Sequence, residues 1–379
     1  MTLLLTEEQT MLKESAASFA LSNGSQAALR ARRSTPTVAS LDISLWQNIV
    51  ELGWTAIPFD ERYGGLGLGF AELGIVMEEM GRSLLSTPLL SSVVLAGGAI
   101  DLCGSEEQKQ ALLPSISDGS ALWAFAYQET ARHQPYSIST RLEQEGEGYL
   151  LSGAKCLVLD GSIATDLIVL ARISGSPGDG EGLSLVRCPA NADGVNRKTN
   201  LLIDGRYVAN ITFDHVHIPP EQVLDGADSI AGVIDELFDR AATAISAEMV
   251  GGVQAAFEMT LGYLKVREQF GATIGSFQGL KHRAARWFCE VELSKSIVVQ
   301  ALRAIDEQSE TRTELASACK ARLSNTYRLS GSEGIQMHGG IGVTDEHDIG
   351  LYMKHGRVTE MLFGDANFHL DRFATVRGY

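Results

Sequence analysis

The stretch Asp239–Gln278 constrains this chain more than any other. It reads DRAATAISAEMVGGVQAAFEMTLGYLKVREQFGATIGSFQ. It contains no proline, and Ile245, Met249, Val253, Ala256, Met259 and Tyr263 recur at three- and four-residue steps, the period of one helical face. Ala, Met, Gln and Glu favour the same helix. One carboxylate, Glu248, stands among the small residues Ser246, Ala247, Gly251 and Gly252. Small residues on a helix admit a close neighbour, either a second backbone or a flat ligand. The helix runs into Arg267-Glu268-Gln269-Phe270-Gly271, with Gly275 beyond. A cation, an amide and an aromatic ring beside glycines suit a phosphorylated, planar cofactor.

Around this helix the pattern changes twice. Residues 1–119 read as helices, with capping boxes at Thr6–Gln9 and Ser105–Gln108. Ser44–Leu52 reads as a short helix stopped by Gly53, and Leu112–Pro114 as the end of the helix opened by Ser105. Tyr63–Gly69 carries four glycines in seven residues. No strand precedes it, so it is a turn before the helix Phe70–Ser83 rather than a dinucleotide fingerprint. From about residue 120 the texture becomes strand-like: Phe125–Gln128, Tyr149–Ser152, Leu157–Leu159, Leu167–Ala171, Leu183–Val186, Val208–Phe213 and Val216–Ile218 are short apolar or alternating runs. Asp225 onward is helical again. The expected fold is α+β with segregated elements: a helical domain over 1–119, a β-domain over 120–224 and a helical domain over 225–379.

Composition narrows the class. A formal charge of −16 over 379 residues argues against a general binder of nucleic acid or anionic membrane. Cys103, Cys156, Cys188, Cys289 and Cys319 are scattered and lack CxxC spacing, which points to a reducing compartment without a disulfide framework or zinc site. The histidines share no ligand spacing, so no metal is expected. The N-terminal run MTLLLTEEQ carries acids where a signal peptide needs bases, and no run is long enough for a membrane span. A cytoplasmic protein is expected.

The run Tyr263–Gly271 with Ile274–Gln278, and the second run Gln336-Met-His-Gly-Gly-Ile-Gly-Val-Thr-Asp-Glu346, together resemble the signatures of the acyl-CoA dehydrogenases, and the resemblance extends over essentially the whole chain. It is nearest to small subunits of heteromeric pimeloyl-CoA and steroid side-chain enzymes. The resemblance implies an N-terminal helical domain, a β-barrel-like middle domain and a C-terminal four-helix bundle. It implies flavin adenine dinucleotide (FAD) at a subunit boundary in a dimer of dimers, an acyl-CoA substrate, and an electron-transfer flavoprotein as acceptor. Arg267, Gln269 and Phe270, with Gln278 at the end of the same run, would contact the cofactor's diphosphate and adenine side. Gln336, Gly339 and Gly340 would do so from a neighbouring subunit. In the β-domain, Tyr127, Gln128, Leu157 and Leu159 would face the flavin ring.

The chain departs from the family in two places. The usual Thr-Glu-Pro and Gly-Ser-Asp loop reads Tyr127-Gln-Glu-Thr-Ala-Arg-His-Gln-Pro135, keeping only Glu129. The usual base, a Glu before Gly-Thr near the C-terminus, is replaced by Phe363, and the alternative base position on the long helix is Ala241. Two carboxylates remain. Glu248 lies seven residues after Ala241 on nearly the same helical face, where apolar surroundings would raise its pKa toward that of a useful base; a salt bridge in an interface is the plainer role. Asp365 lies two residues after Phe363, where a cap aspartate is the plainer reading. Glu78-Glu79 and Glu106-Glu107 read as solvated faces, Lys354-His355 with Arg357 as a CoA-steering or surface basic cluster, and Thr344-Asp345-Glu346 as a cap. The expected activity is α,β-dehydrogenation of an acyl-CoA, with a bulky steroid-derived, cyclic or dicarboxylic acyl group. Two alternatives stand beside it: a non-catalytic partner subunit completing a flavin site, and a flavin oxidase or monooxygenase.

Overall fold

A computed structural model describes residues 5–24, 26–34 and 42–379; the first four residues of the acidic N-terminal run lie outside them. By contacts the chain divides into two compact units, one of Met1–Ala31, Phe70–Ser86 and Ala242–Tyr379, the other of Arg32–Gly69 and Thr87–Ala241.

The first unit is helical. It holds α1 (Glu7–Asn23), α4 (Phe70–Arg82), most of α7 (Ile230–Val266), α8 (Gln278–Asp306), α9 (Arg312–His338), α10 (Ile349–Met361) and α11 (Ala366–Val376); α2 (Gln26–Ser34) begins in it. The expected capping box of α1 forms, with Thr6 and Gln9 bonding each other's backbone N–H. The glycines of the long helix meet another backbone and an aromatic ring. A Cβ added at Gly251 would lie 1.8 Å from the Glu78 carbonyl oxygen, and one at Gly81 would lie 1.9 Å from that of Glu248. Helices α4 and α7 therefore touch through reciprocal glycines, at a spacing no side chain tolerates. Gly252 leaves room for Tyr327, whose hydroxyl would be 2.1 Å from an added Cβ.

The second unit carries α3 (Ile43–Glu51), α5 (Gly98–Cys103), α6 (Glu106–Ser117), a fully buried π-helix over Leu89–Gly97, and the sheet. Strands β1 (Trp123–Ala126), β2 (Arg141–Glu145), β3 (Gly148–Leu159), β4 (Asp166–Arg172), β5 (Leu183–Pro189), β6 (Val195–Leu201), β7 (Tyr207–Ile218) and β8 (Val223–Leu224) form an eight-stranded sheet in the order β6-β7-β3-β2-β4-β5-β8, with β1 parallel to β4. Its core includes Leu151, Leu167, Val169, Val186, Ile211, Phe213 and Ile218. Helices flanking a sheet domain match the expected α+β class and the acyl-CoA dehydrogenase fold.

Local details differ from the sequence reading. Two pairs of short runs fuse into long bent strands: Tyr149–Ser152 with Leu157–Leu159 into β3, and Val208–Phe213 with Val216–Ile218 into β7. Register shifts between Leu151 and Gly153 and between Lys155 and Val158 mark the bends. The missed strands β2 (RLEQE) and β6 (VNRKTNL) are polar because much of each is exposed. Pro114 does not end its helix; α6 continues to Ser117 with Pro114 inside. Residues Glu268–Thr273 form a small hairpin, β9 (Glu268–Gln269) with β10 (Ala272–Thr273), rather than helix. Asp345 does not cap α10: it pairs with Lys354, and the Asp345 and Glu346 carbonyls accept from Arg30. Glu79 is buried, and Lys13 bonds Glu78 at 2.8 Å and lies 3.6 Å from Glu79. His355, expected in a basic cluster, is buried as well.

Candidate active site

The hairpin after α7 turns on Phe270 and Gly271, with φ +55° and +77°. Two consecutive left-handed residues make a tight hairpin, which glycine adopts freely and phenylalanine does not. The Phe270 ring is 91% exposed. Helix α9 ends at Gly339, φ +64° and ψ −139°, and added Cβ atoms at Gly339 and Gly340 would meet nothing within 4 Å. The segments that follow these two helices lie on one hollow of about 550 Å³. Arg267, Gln269 and Phe270 line it from one side and Gln336, Gly339 and Gly340 from the other. The two motifs, expected on different subunits, thus share a surface of a single chain. Gln278 is exposed in the first turn of α8, between Phe277 and Leu280, which line the hollow.

The chemistry of the lining suits a diphosphate and a heteroaromatic base. Among the described residues, the side chains of Arg267, Gln269 and Gln336 have no hydrogen-bond or ion-pair partner. A guanidinium matches phosphate geometry, bare glycine backbone lets it approach, and Phe270 offers a stacking face. Sequence reasoning missed Tyr263, Phe277, Arg283 and His338 in the lining. His338 donates through Nδ1 to the Gly334 carbonyl at 2.7 Å, and burial holds its pKa below the ordinary value.

The four β-domain candidates separate into two surface and two packed positions. Tyr127 is buried beside Phe125 and Phe238. Its hydroxyl is 2.9 Å from Gln128 Oε1 and 3.0 Å from His133 Nδ1, while Gln128 Nε2 donates to the Thr130 carbonyl at 2.9 Å. The Gln128 amide is therefore fixed in orientation. Leu157 is exposed at φ +54°, its amide donating to Asn210 Oδ1; Leu159 is buried. Beneath them Lys155 reaches Glu129 at 2.7 Å. Burial draws Lys155 down to about 8 against the pull of Glu129. Glu129 is desolvated too, yet Lys155 and Thr140 hold it below the usual carboxylate range.

The acid–base candidates occupy three settings. Glu248 is buried and bonds His355 Nε2 at 2.7 Å, while His355 Nδ1 lies 2.7 Å from the Tyr327 hydroxyl. This buried Tyr327–His355–Glu248 chain runs from α9 through α10 to α7. Asp365 is the N-cap of α11, accepting from the Phe368 amide at 2.9 Å. Phe363, at the family's base position, is 2% exposed with φ +58°. Its turn is fixed through the backbone: Lys320 Nζ donates to the Glu360 and Gly364 carbonyls at 2.9 and 2.8 Å, and His369 Nε2 to the Phe363 carbonyl at 2.9 Å. Burial lowers Lys320 to about 7 against the charges of Glu360 and Asp365. Ala241 is fully buried.

The lining of the hollow beside Arg267 suits a phosphorylated cofactor that carries a heteroaromatic base. Residues 6–120 match the model of the acyl-CoA dehydrogenase N-terminal domain and residues 231–376 that of the C-terminal domain. The chain is similar to the probable acyl-CoA dehydrogenase YngJ of Bacillus subtilis, with 29% identity and coverage of 98% of both chains. Among solved structures it is similar to a chain from one of the electron transferring flavoprotein of Acidaminococcus fermentans, with 26% identity, TM-score 0.92 and full coverage of both. It is also similar to a chain of a variant of the steroid ACAD Tcur3481-Tcur3483, with 27% identity, TM-score 0.86 and 98% coverage of each. The chain belongs to the acyl-CoA dehydrogenase family. Its cofactor is FAD, and its activity is of the acyl-CoA dehydrogenation type.

Proposed function

We propose that this chain is one subunit of an oligomeric, FAD-dependent dehydrogenase that forms the α,β-double bond of an acyl-CoA thioester. The observation that carries the reading is the single hollow lined by Arg267, Gln269, Phe270, Gln336, Gly339 and Gly340, with Gln278 at its edge. Arg267 and the bare Gly339–Gly340 backbone take the diphosphate, and Phe270 stacks on the adenine. Gln336, Gly339 and Gly340 act across a subunit boundary by resemblance, so the residues that share their hollow do the same. Gln128 and Leu157 form the surface toward the flavin ring, with Tyr127 and Leu159 packed behind them. Bound FAD supplies the hydride acceptor; the protein holds the substrate and removes the α-proton. Glu248 is the base of this reading, its carboxylate held by His355. The substituted loop at 127–135 favours a bulky acyl group, in keeping with the similarity to a steroid ACAD, and an electron-transfer flavoprotein as acceptor belongs to the same reading.

A second reading has its own support. Phe363 is apolar and buried at the base position, Asp365 is used as a cap, and Glu248 already carries a buried bond to His355. In this reading the chain completes the flavin site of a catalytic partner that supplies the base. One experiment separates the two. Bound FAD per chain and native mass are measured for the protein alone, and acyl-CoA is added to see whether the visible flavin band bleaches. FAD retained in a homo-oligomer, with bleaching lost in Glu248→Gln but FAD kept, supports the first reading. Bleaching unchanged in that variant removes Glu248 as base. FAD bound only with a partner chain supports the second, and no FAD in either state removes both. Oxygen consumption without an external acceptor identifies an oxidase instead.

A further inference from the structure

Lys155 and Glu129 form an ion pair inside the β-domain, and everything they bond is backbone or fixed to backbone. Lys155 lies on β3, 1% exposed. Its Nζ donates to Glu129 Oε1 at 2.7 Å and to the Tyr127 carbonyl at 3.1 Å. The same carboxylate accepts from the Ser139 amide at 2.7 Å, the Thr140 amide at 3.0 Å and the Thr140 hydroxyl at 2.7 Å. One buried charge pair thus ties together the segment leaving β1, the start of β2 and the middle of β3. The Cys156 amide adds a bond to the Gln128 carbonyl at 2.7 Å. Directly beyond Lys155 the register with β7 shifts, and Leu157 stands exposed in a left-handed conformation. The pair therefore fixes both accessible members of the ring-side surface, Gln128 on one segment and Leu157 on the other.

A charge pair in a core is an expensive way to hold a sheet. Apolar side chains of similar volume serve as well or better. Its advantage is geometric: an ammonium and a carboxylate aim several short bonds at chosen backbone atoms. That fits a surface whose backbone must be set to within a fraction of an ångström for a rigid ring to bind.

We propose that Lys155 and Glu129 are positioning residues for the flavin ring, holding Gln128 and Leu157 in register against it; this rests on the FAD-binding reading above. The test uses the full chain, with its partner if one is required for FAD binding. Glu129→Gln and Lys155→Met are compared with wild type for FAD dissociation constant and for the visible absorption and circular dichroism of bound flavin at saturating FAD. The expected result is a loss of at least about tenfold in affinity, the scale of one charged hydrogen bond, with an altered spectrum of the flavin that still binds. Thr140→Val is the variant that keeps the ion pair and the fold while deleting one bond of 2.7 Å; it loses affinity by about threefold and shifts the spectrum in the same sense. It decides the matter where a charge variant does not fold. Variants that melt earlier but hold flavin with wild-type spectrum and affinity mean a role in stability alone and overturn the proposal. A wild-type chain holding no FAD, alone or with a partner, overturns the FAD reading itself and this inference with it; normal wild-type binding with unchanged variants overturns only the inference.

Discussion

At the scale of single residues, conformational strain and buried charge mark what packing alone does not require. Phe270 holds a left-handed backbone with its ring 91% exposed, so the folded chain bears a cost of about 1–2 kcal/mol for a ring that covers little protein surface. Replacing it with glycine should leave the stability of the FAD-free chain unchanged or raise it by up to about 1 kcal/mol. FAD affinity should fall by about tenfold, since stacking on one aromatic ring is worth about 1–3 kcal/mol. Chemical melts and FAD titrations read the two effects separately, and unchanged affinity would remove Phe270 from the cofactor site. Lys320 gives a pH signature. Its folded pKa is about 7, well below the roughly 10.4 of a lysine in the unfolded chain. Between these values the unfolded state binds more protons, so the stability of the native chain rises with pH across that window. Below about 7 the charge stays buried in the folded state and the gain is lost. The neutral amine still has two N–H groups for the Glu360 and Gly364 carbonyls. Urea melts from about pH 6 to about pH 9 should show wild type gaining on Lys320→Met; parallel curves would contradict the assignment.

At the scale of elements, one glycine sets how closely two helices approach, a second on one of them does not, and one aspartate sets where a helix starts. Gly81→Ala places a methyl 1.9 Å from the Glu248 carbonyl oxygen, which forces α4 away from α7. A loss of about 1–3 kcal/mol or more is expected. Gly262 lies on the same helix α7 with nothing within 4 Å of an added Cβ. There the same substitution should stabilise by about 0.5–1 kcal/mol, because only the helix propensity changes. Thermal melts of the two variants moving in one direction would refute the close helix contact. At the start of α11, Asn caps as well as Asp. Asp365→Asn should therefore keep stability within about 0.5 kcal/mol and, if Glu248 is the base, keep turnover as well. Lost turnover at unchanged stability would move the base to Asp365.

At the scale of the whole molecule, the first unit exposes Phe270, Phe277, Phe288, Leu293, Ile341 and Val343. Phe270, Phe277 and Ile341 among these lie together on the rim of one hollow, and clustered exposed apolar side chains fit a surface that another chain covers. The hollow beside Phe277 and Ile341 would then be closed by the chain that holds the flavin ring. A native mass near four times the chain's 40.8 kDa is expected for the working assembly, homomeric or with a partner. A monomeric chain carrying FAD and turning over acyl-CoA would contradict it.

Much of this was legible in the residues themselves. The period of the long helix, the capping boxes and the change to short strands near residue 120 are local signals, and the α+β class follows from their order. The motif residues Arg267, Gln269, Phe270, Gln336, Gly339 and Gly340 were legible as a group because their types and order in the chain resemble the family's signatures. The polar strands β2 and β6 were hidden, since pairing with a neighbour, not their own pattern, makes them strands. Proline 114 misled because a helix already held by its neighbours tolerates one lost bond. Only the tertiary structure could bring the two motifs onto one hollow and pack the helix glycines against Glu78 and Tyr327. It also joined Glu248 to His355 and Lys155 to Glu129 across 107 and 26 residues of chain. Such contacts depend on which distant side chains the fold delivers to the same place, and no local pattern encodes that.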